Sequence, residues 1–394
     1  MTETDSAVCF VCILLIPAAV AGIAAVNAGL GRARNAAQSM LSSMCFAAAA
    51  AIAYFVVGFV WQSYVGGPSR VLLIGGKPWD WIGAARPFFL GLDLSSGAVA
   101  PLFGMMSAAL AAIIPIGGGG ERWRLGVGCA SAAFLGGVTF PLFAHWTWGG
   151  GFLARLGQNY GIGRGFIDAG GAASIHAVGG VTALAMAWIL GARRGKYLPN
   201  GMPSAIPGHH ATFVLGGCLL AWIGVLGLDC AGAILFDGAS WRVGPLVVVN
   251  ATLSAGAALL AVAWITRLRY RKVDASLSAN GWVAGLAASS AGCASMAPAG
   301  AMIVGLVAGA IVVFGVEWLE LHLHVDDPGG AVPVHLLAAV WGVLAAGPLA
   351  RNAEDCAILL QAMSGPDPDD PRSAGVVPGD YVSVLEQGVA GLRL

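Results

Sequence analysis

Apolar runs of about twenty residues, separated by short polar loops, fill the first 350 positions of the chain. A window of about 19 residues places them near 7–30, 39–63, 94–117, 125–147, 170–192, 209–229, 244–266, 279–296, 298–319 and 331–350. Each can cross a hydrocarbon core about 30 Å thick as an α-helix. Ten spans divide into two sets of five, 7–192 and 209–350, and an odd number per set forces the halves into opposite orientations. The predicted fold is an all-α polytopic membrane protein built as an inverted five-plus-five helix repeat over residues 1–350.

One polar phrase interrupts the apolar pattern twice. Asp168-Ala-Gly-Gly-Ala-Ala-Ser-Ile-His176 opens the fifth span and Asp327-Pro-Gly-Gly-Ala-Val-Pro-Val-His335 opens the tenth, both reading D-x-G-G-A-x-x-x-H. The aspartate is expected to cap a helix start, where free N–H groups favour an anion. The histidine lies eight residues on, roughly 12 Å of helical rise, close to the bilayer centre. Ionisable groups at that depth are costly and usually line a pathway beside a partner. One histidine at the matching place of each half therefore points to a transporter or channel. An isolated membrane histidine is more simply read as a helix-to-helix hydrogen-bonding group; the matched pair changes that balance.

Composition agrees, with 58% hydrophobic and 10% charged residues and a mean hydropathy of +0.79, where a soluble domain carries about 25% charged residues. Twenty basic and twenty acidic residues leave no net field, so nucleic acid is not an expected partner. Eleven basic residues in short loops fall on one side (Arg32, Arg34, Arg122, Arg124, Arg193, Arg194, Lys196, Arg267, Arg269, Arg271, Lys272) against six on the other (Arg70, Lys77, Arg86, Arg155, Arg164, Arg242). The positive-inside rule then puts the N-terminus outside. Met-Thr-Glu-Thr-Asp lacks the basic start of a signal peptide, so the first run reads as a retained helix. Gly and Ala throughout the spans suit close helix packing. Cys9 and Cys12 form a C-x-x-C inside an apolar span, read as ordinary helix filling.

The segment His145-Trp-Thr-Trp148-Gly-Gly-Gly151 before the first phrase resembles the ammonium transporter family (Amt/Mep/Rh), in which a Trp and glycines precede a D-x-A-G-G-x-x-x-H helix. Val325-Asp-Asp-Pro328 running to His335 and Trp341-Gly342 is similar to the family's V-D-D-P…H-x-x-x-G-x-W-G. Gly119-Gly-Glu-Arg122 resembles its G-A-x-A-E-R, and Asn280-Gly-Trp282 to Cys293 its eighth helix. The resemblance implies ammonium or ammonia transport in a cell membrane, no enzymatic activity, no cofactor and a homotrimer with one pore per subunit. It implies His176 and His335 as paired pore histidines, and Trp148, Phe103 and Asp168 as the outer recruitment site. An indole face would attract ammonium by about 0.5–2 kcal/mol.

Three departures qualify those expectations. The family's two gating phenylalanines match Ser107 and Leu228, which predicts a wider, wetter gate. The sixth-helix motif becomes Gly224-Val-Leu-Gly-Leu228-Asp229-Cys-Ala-Gly232, without the vestibule Ser and with Asp229 added; that aspartate is open to two readings, a substitute ligand or an outer headgroup residue. Residues 351–394 are Pro/Asp-rich, and Tyr381–Leu394 is too short to span, so the family's eleventh helix is expected to be missing or cut short. The C-terminus would then lie outside, and a PII-type regulator is not expected by its usual route. An ammonium sensor or non-conducting binding protein on the same fold is the alternative function. A metal-dependent membrane enzyme built on His322, His324, Asp326 and Asp327 is the weaker third reading, because H-x-H on a helix does not put both rings on one face.

Overall fold

The computed structural model describes residues 1–92, 99–160 and 165–346. Ten long helices follow one another among them, besides the short helix Leu156–Tyr160: α1 Glu3–Leu30, α2 Ala33–Gln62, α3 Val99–Gly119, α4 Leu125–Thr147, α5 Ala172–Leu190, α6 Ala211–Phe236, α7 Trp241–Tyr270, α8 Ala275–Ser289, α9 Pro298–Leu323 and α10 Val332–Ala346. All except α8 and α10 are long and apolar enough to cross a membrane unaided. A two-stranded antiparallel hairpin, β1 Ser69–Ile74 and β2 Lys77–Gly83, lies between α2 and α3. The stretch in which the family's eleventh helix is expected to be missing or cut short, the Pro/Asp-rich segment 351–394, and Arg164 lie outside the described residues.

Polar residues at the helix starts set the boundaries. Thr2 and Asp5 cap α1 reciprocally, the Asp5 N–H donating to Thr2 Oγ1 (3.1 Å) and the Thr2 N–H to Asp5 Oδ2 (3.2 Å). Asp274 accepts from Leu277 N (2.9 Å) at the start of α8, and His210, which had no assigned role, accepts from Phe213 N at the start of α6 (3.0 Å).

Two spans differ from the hydropathy reading. Hydropathy ends the sixth at Asp229, because a charge closes an apolar window; the helix runs on to Phe236 with Asp229 fully buried inside it. That excludes the headgroup reading of Asp229. Hydropathy extends the eighth over 279–296, but α8 stops at Ser289 and 290–296 form turns. Irregular backbone at membrane depth needs internal partners. Here Ser290 O and Ala291 O accept from Gly170 N (2.8 Å) and Ala169 N (3.0 Å), and Asn250 Nδ2 donates to Cys293 O and Met296 O (both 2.9 Å).

The loop ends assigned to one side of the membrane do meet. Arg32 pairs with Glu121, Arg193 with Glu121 (3.4 Å) and Asp326 (2.9 Å), and Arg122 with Asp326 (3.5 Å), joining the ends of α1, α3, α5 and α9. Burial opposes ionisation of Asp326, yet hydrogen bonds and charge from Arg193, with Arg122 beside it, hold its carboxyl below the ordinary value. At the opposite end His145, another residue without an assigned role, is fully buried with Nδ1 against Gln62 O (2.8 Å) and Nε2 against Asp80 Oδ1 (3.1 Å), while Arg155 reaches Asp80 (3.4 Å). This network pins the hairpin to α2 and α4.

Candidate functional site

The duplicated phrase folds the same way twice. Asp168 accepts from Ala173 N (3.0 Å) and Ser174 N (2.8 Å), and Asp327 from Ala331 N (3.0 Å) and Val332 N (2.7 Å). Each carboxylate satisfies the free donors of a helix start. The second glycine of each phrase, Gly171 or Gly330, has a positive φ (85° and 66°), a turn that a side chain would strain. Both helices then open in wide, π-type turns, Ala172–Ala177 and Val332–Leu337, a local irregularity common where side chains must be re-aimed at functional sites.

Those turns bring the two histidines together. His176 Nδ1 lies 2.9 Å from His335 Nδ1, with the rings 5.0 Å apart and 8° from parallel. Exposure is 1% for His176 and 4% for His335. One Nδ1 must donate and the other accept, so at least one ring is neutral. His176 Nε2 has no partner. His335 lines a small cavity with Ile23, Val26, Asn27, Asn280 and Val283. Close approach of α5 to α10 makes the contact possible: a Cβ on Gly180 would sit 2.5 Å from Leu336 N.

The expected recruitment residues also lie near one another, in an arrangement the sequence reading did not contain. Phe103 meets Trp148 edge to face (5.5 Å, 74°), and Trp148 Nε1 donates to the backbone carbonyl of Asp168 (2.7 Å). The Asp168 side chain is occupied with Ala173, Ser174 and the Ser174 hydroxyl (2.6 Å), so its contribution to the aromatic layer is a main-chain oxygen. Phe236, which was not singled out, stacks on Trp148 at 4.6 Å and 4°, and also meets Phe103 (5.4 Å). The indole, 4% exposed, therefore has one face covered. The only sequence signal was an aromatic residue eight positions beyond Leu228, past the point where hydropathy ended the span.

Ser107 and Leu228 are both fully buried. The Ser107 hydroxyl has no hydrogen-bond partner, and Phe236 lies two turns farther along α6 than Leu228. No group of three or more possible metal ligands occurs among the described residues. His324, in a left-handed conformation, packs against Tyr197 (5.3 Å), while Asp326 is spent on Arg193 and Asp327 on a helix cap.

Ten helices in two inverted sets, with one histidine from each half in contact at the centre, define a polytopic membrane transport protein of the inverted-repeat class. The sequence model of the Ammonium Transporter Family matches residues 7–387, and the chain belongs to that family. It is 35% identical over 345 residues to ammonium transporter Amt2 of Archaeoglobus fulgidus, covering 86% of this chain and 69% of that one. It is 33% identical over 340 residues to a putative ammonium transporter of Synechocystis (85% and 73%). Among solved structures it resembles one described as a sensor Amt protein, with a TM-score of 0.80, 25% identity and coverage of 89% of this chain and 83% of that one. It shares the fold of Candida albicans Mep2, with a TM-score of 0.74, 22% identity and coverage of 91% and 75%.

Proposed function

We propose that this protein moves ammonium across a cell membrane as ammonia, by way of a conduit lined by His176 and His335. The observation that carries the reading is the 2.9 Å contact between one imidazole from each half. A bare ammonium ion entering a dry passage loses its hydration at great cost; shedding a proton at the mouth lets neutral ammonia pass instead. A neutral histidine pair can donate to and accept from ammonia without adding fixed charge. Potassium has no proton to shed and is excluded.

In this reading Phe103, Trp148 and the Asp168 carbonyl form the outer recruitment layer, the N-terminus is outside, and the protein is a homotrimer in the cell membrane. The test is methylammonium uptake and ammonium current in liposomes containing the purified full chain. Loss of conduction or of ammonium-over-potassium selectivity in the His176→Ala/His335→Ala double variant is the expected result; unaltered flux and selectivity would remove the histidines from the pathway.

A second reading, an ammonium sensor or non-conducting binding protein, is favoured by Phe236 stacked on the Trp148 face and by similarity to the solved sensor Amt protein. Flux at empty-liposome background together with measurable ammonium binding selects it.

A further inference from the structure

Two cavities separate the histidine pair from the charged end of the molecule. The first, about 10 Å³, has room for about one water-sized molecule. His335 lines it together with Ile23, Asn27, Asn280 and Val283. The second, about 90 Å³, is lined by Asn35, Gln38, Ser39 and Glu121 among others, and it reaches the surface at the exposed Gln38. Among the described residues only Asn27 lines both. Its register on α1 puts it there: Ile23 and Asn27 are four residues apart and share a helix face, so the stripe that meets the His335 cavity ends in an amide one turn nearer the charged end.

The partition around Asn27 is built from backbone. Gly117, on α3, lines the larger cavity and Gly329, in the second Asp/His phrase, the smaller. Gly329 N donates to Gly117 O (3.0 Å), and a Cβ on Gly329 would come within 2.6 Å of Gly117 Cα. The Asn27 carboxamide lies against both glycines, since a Cβ on Gly117 or Gly329 would stand 3.1 or 2.9 Å from its Oδ1. On its other side α3 is interrupted at Pro115, which has no N–H to give. Gly117 N donates there to Ile114 O (3.0 Å), and Ile113 O beside the break accepts Asn27 Nδ2 at 3.3 Å.

That bond is longer than the usual range of about 2.7–3.2 Å, and the terminal torsion of an asparagine is broad. The glycine backbones are held by each other, so the carboxamide is the part of the partition that is free to rotate. It also suits a neutral solute leaving His335, because an amide both donates to and accepts from ammonia.

We propose that Asn27 is the gate at the charged end of the conduit: its carboxamide closes the neck between the one-molecule cavity at His335 and the polar pocket, and swings aside to pass one ammonia-sized molecule at a time. The proposal rests on the transport reading and adds to it a step beyond the histidines.

The test compares ammonium and methylammonium uptake by the full chain in liposomes for wild type, Asn27→Ala, and Asn27→Cys before and after 2-aminoethyl methanethiosulfonate. Wild type treated with the reagent controls for the native cysteines. Asn27→Ala removes the amide and leaves both glycines in place. It is expected to raise the ratio of methylammonium to ammonium uptake at least about tenfold, the low end of what one methyl group is worth at a fitted site. The Asn27→Cys adduct, located by peptide mass, is expected to abolish most uptake, and reduction by dithiothreitol to restore it. An unchanged ratio in Asn27→Ala with ammonium uptake intact overturns the gate and leaves transport past the histidines standing. Should Asn27→Ala not fold, Asn27→Cys decides, and uptake indifferent to the adduct overturns the gate. Uptake at empty-liposome background in wild type and both variants sinks the transport reading and the gate with it.

Discussion

The Trp148 indole and the Phe236 ring lie parallel, 4.6 Å between centroids and 4° between planes. A ring that attracts cations through its face has that face occupied by another ring. Removing Phe236 should expose it. Since an indole face is worth about 0.5–2 kcal/mol to a cation, Phe236→Ala is expected to raise apparent affinity for methylammonium about 2- to 30-fold, read by isothermal titration on purified protein. Unchanged or weaker binding would show that Phe236 is part of the recruitment layer itself rather than its cover.

The histidine pair should behave as a unit. His176→Ala leaves His335 Nδ1 without its partner, and a buried orphan of this kind costs about 1–3 kcal/mol; His335→Ala does the same to His176. Contacting residues couple by about 0.5–3 kcal/mol, so the double variant is expected to lose less stability than the two single losses added together. Unfolding midpoints by intrinsic fluorescence measure the cycle, and strict additivity would mean that the 2.9 Å contact contributes nothing.

Gly180 can be tested without touching either imidazole. A methyl group there meets the backbone at Leu336 N and His335 C, 2.5 and 2.7 Å away, and the backbone cannot rotate aside. Gly180→Ala is expected to cost about 1–3 kcal/mol and to lower flux by pushing α10 away from α5. Wild-type stability and flux together would show that the two helices have slack at the histidines.

Asp168 and Asp327 cap equivalent helix starts, so each aspartate-to-alanine variant is expected to lose about 0.5–2 kcal/mol of stability. The bond from Trp148 Nε1 goes to the Asp168 main chain and survives the side-chain change. Paired midpoints and uptake rates for the two variants distinguish the roles: equal loss of stability and of uptake marks both as caps, whereas loss of uptake confined to Asp168→Ala marks a function in recruitment.

Acid should loosen the charged end of the molecule at a defined pH. The Asp326 carboxyl is lowered in the folded state by Arg193 and Arg122 against the opposing effect of burial. Its stabilisation is therefore complete above the unfolded value of about 3.9 and is lost as pH falls through the lower folded value. The midpoint should hold from pH 7 to about 5 with respect to this group and drop below about 4. Asp326→Asn should remove that acid limb and, by leaving the buried Arg193 short of charge, cost about 3–5 kcal/mol at neutral pH.

Much of the fold could be read from hydropathy, because a helix that crosses lipid must be apolar along its whole length and leaves a run of matching length in the chain. The duplicated phrase carried the central pair for a similar reason: equivalent positions in an inverted repeat meet at the pseudo-twofold axis. Reading failed where a charge sat inside a helix. Asp229 closes the sixth apolar run, which hides the two further turns of α6 that carry Phe236. It failed again at 290–296, where apolar composition concealed a turn whose carbonyls are satisfied by Asn250, Ala169 and Gly170. Neither His145 nor His210 could be assigned, since what each does depends on which backbone group lies opposite.

The sequence by itself determined the ten helices, the inverted halves, the capping aspartates and the identity of the two central histidines, because these follow from local periodicity, local hydrogen bonding and repetition. Only the tertiary structure decided that Phe236 covers Trp148, that Asp168 offers the indole its carbonyl and not its carboxylate, and that Asp229 is buried inside α6. Those relationships join residues 60 or more positions apart or turn on the direction in which a side chain points, and nothing in a linear pattern of polar and apolar positions encodes either.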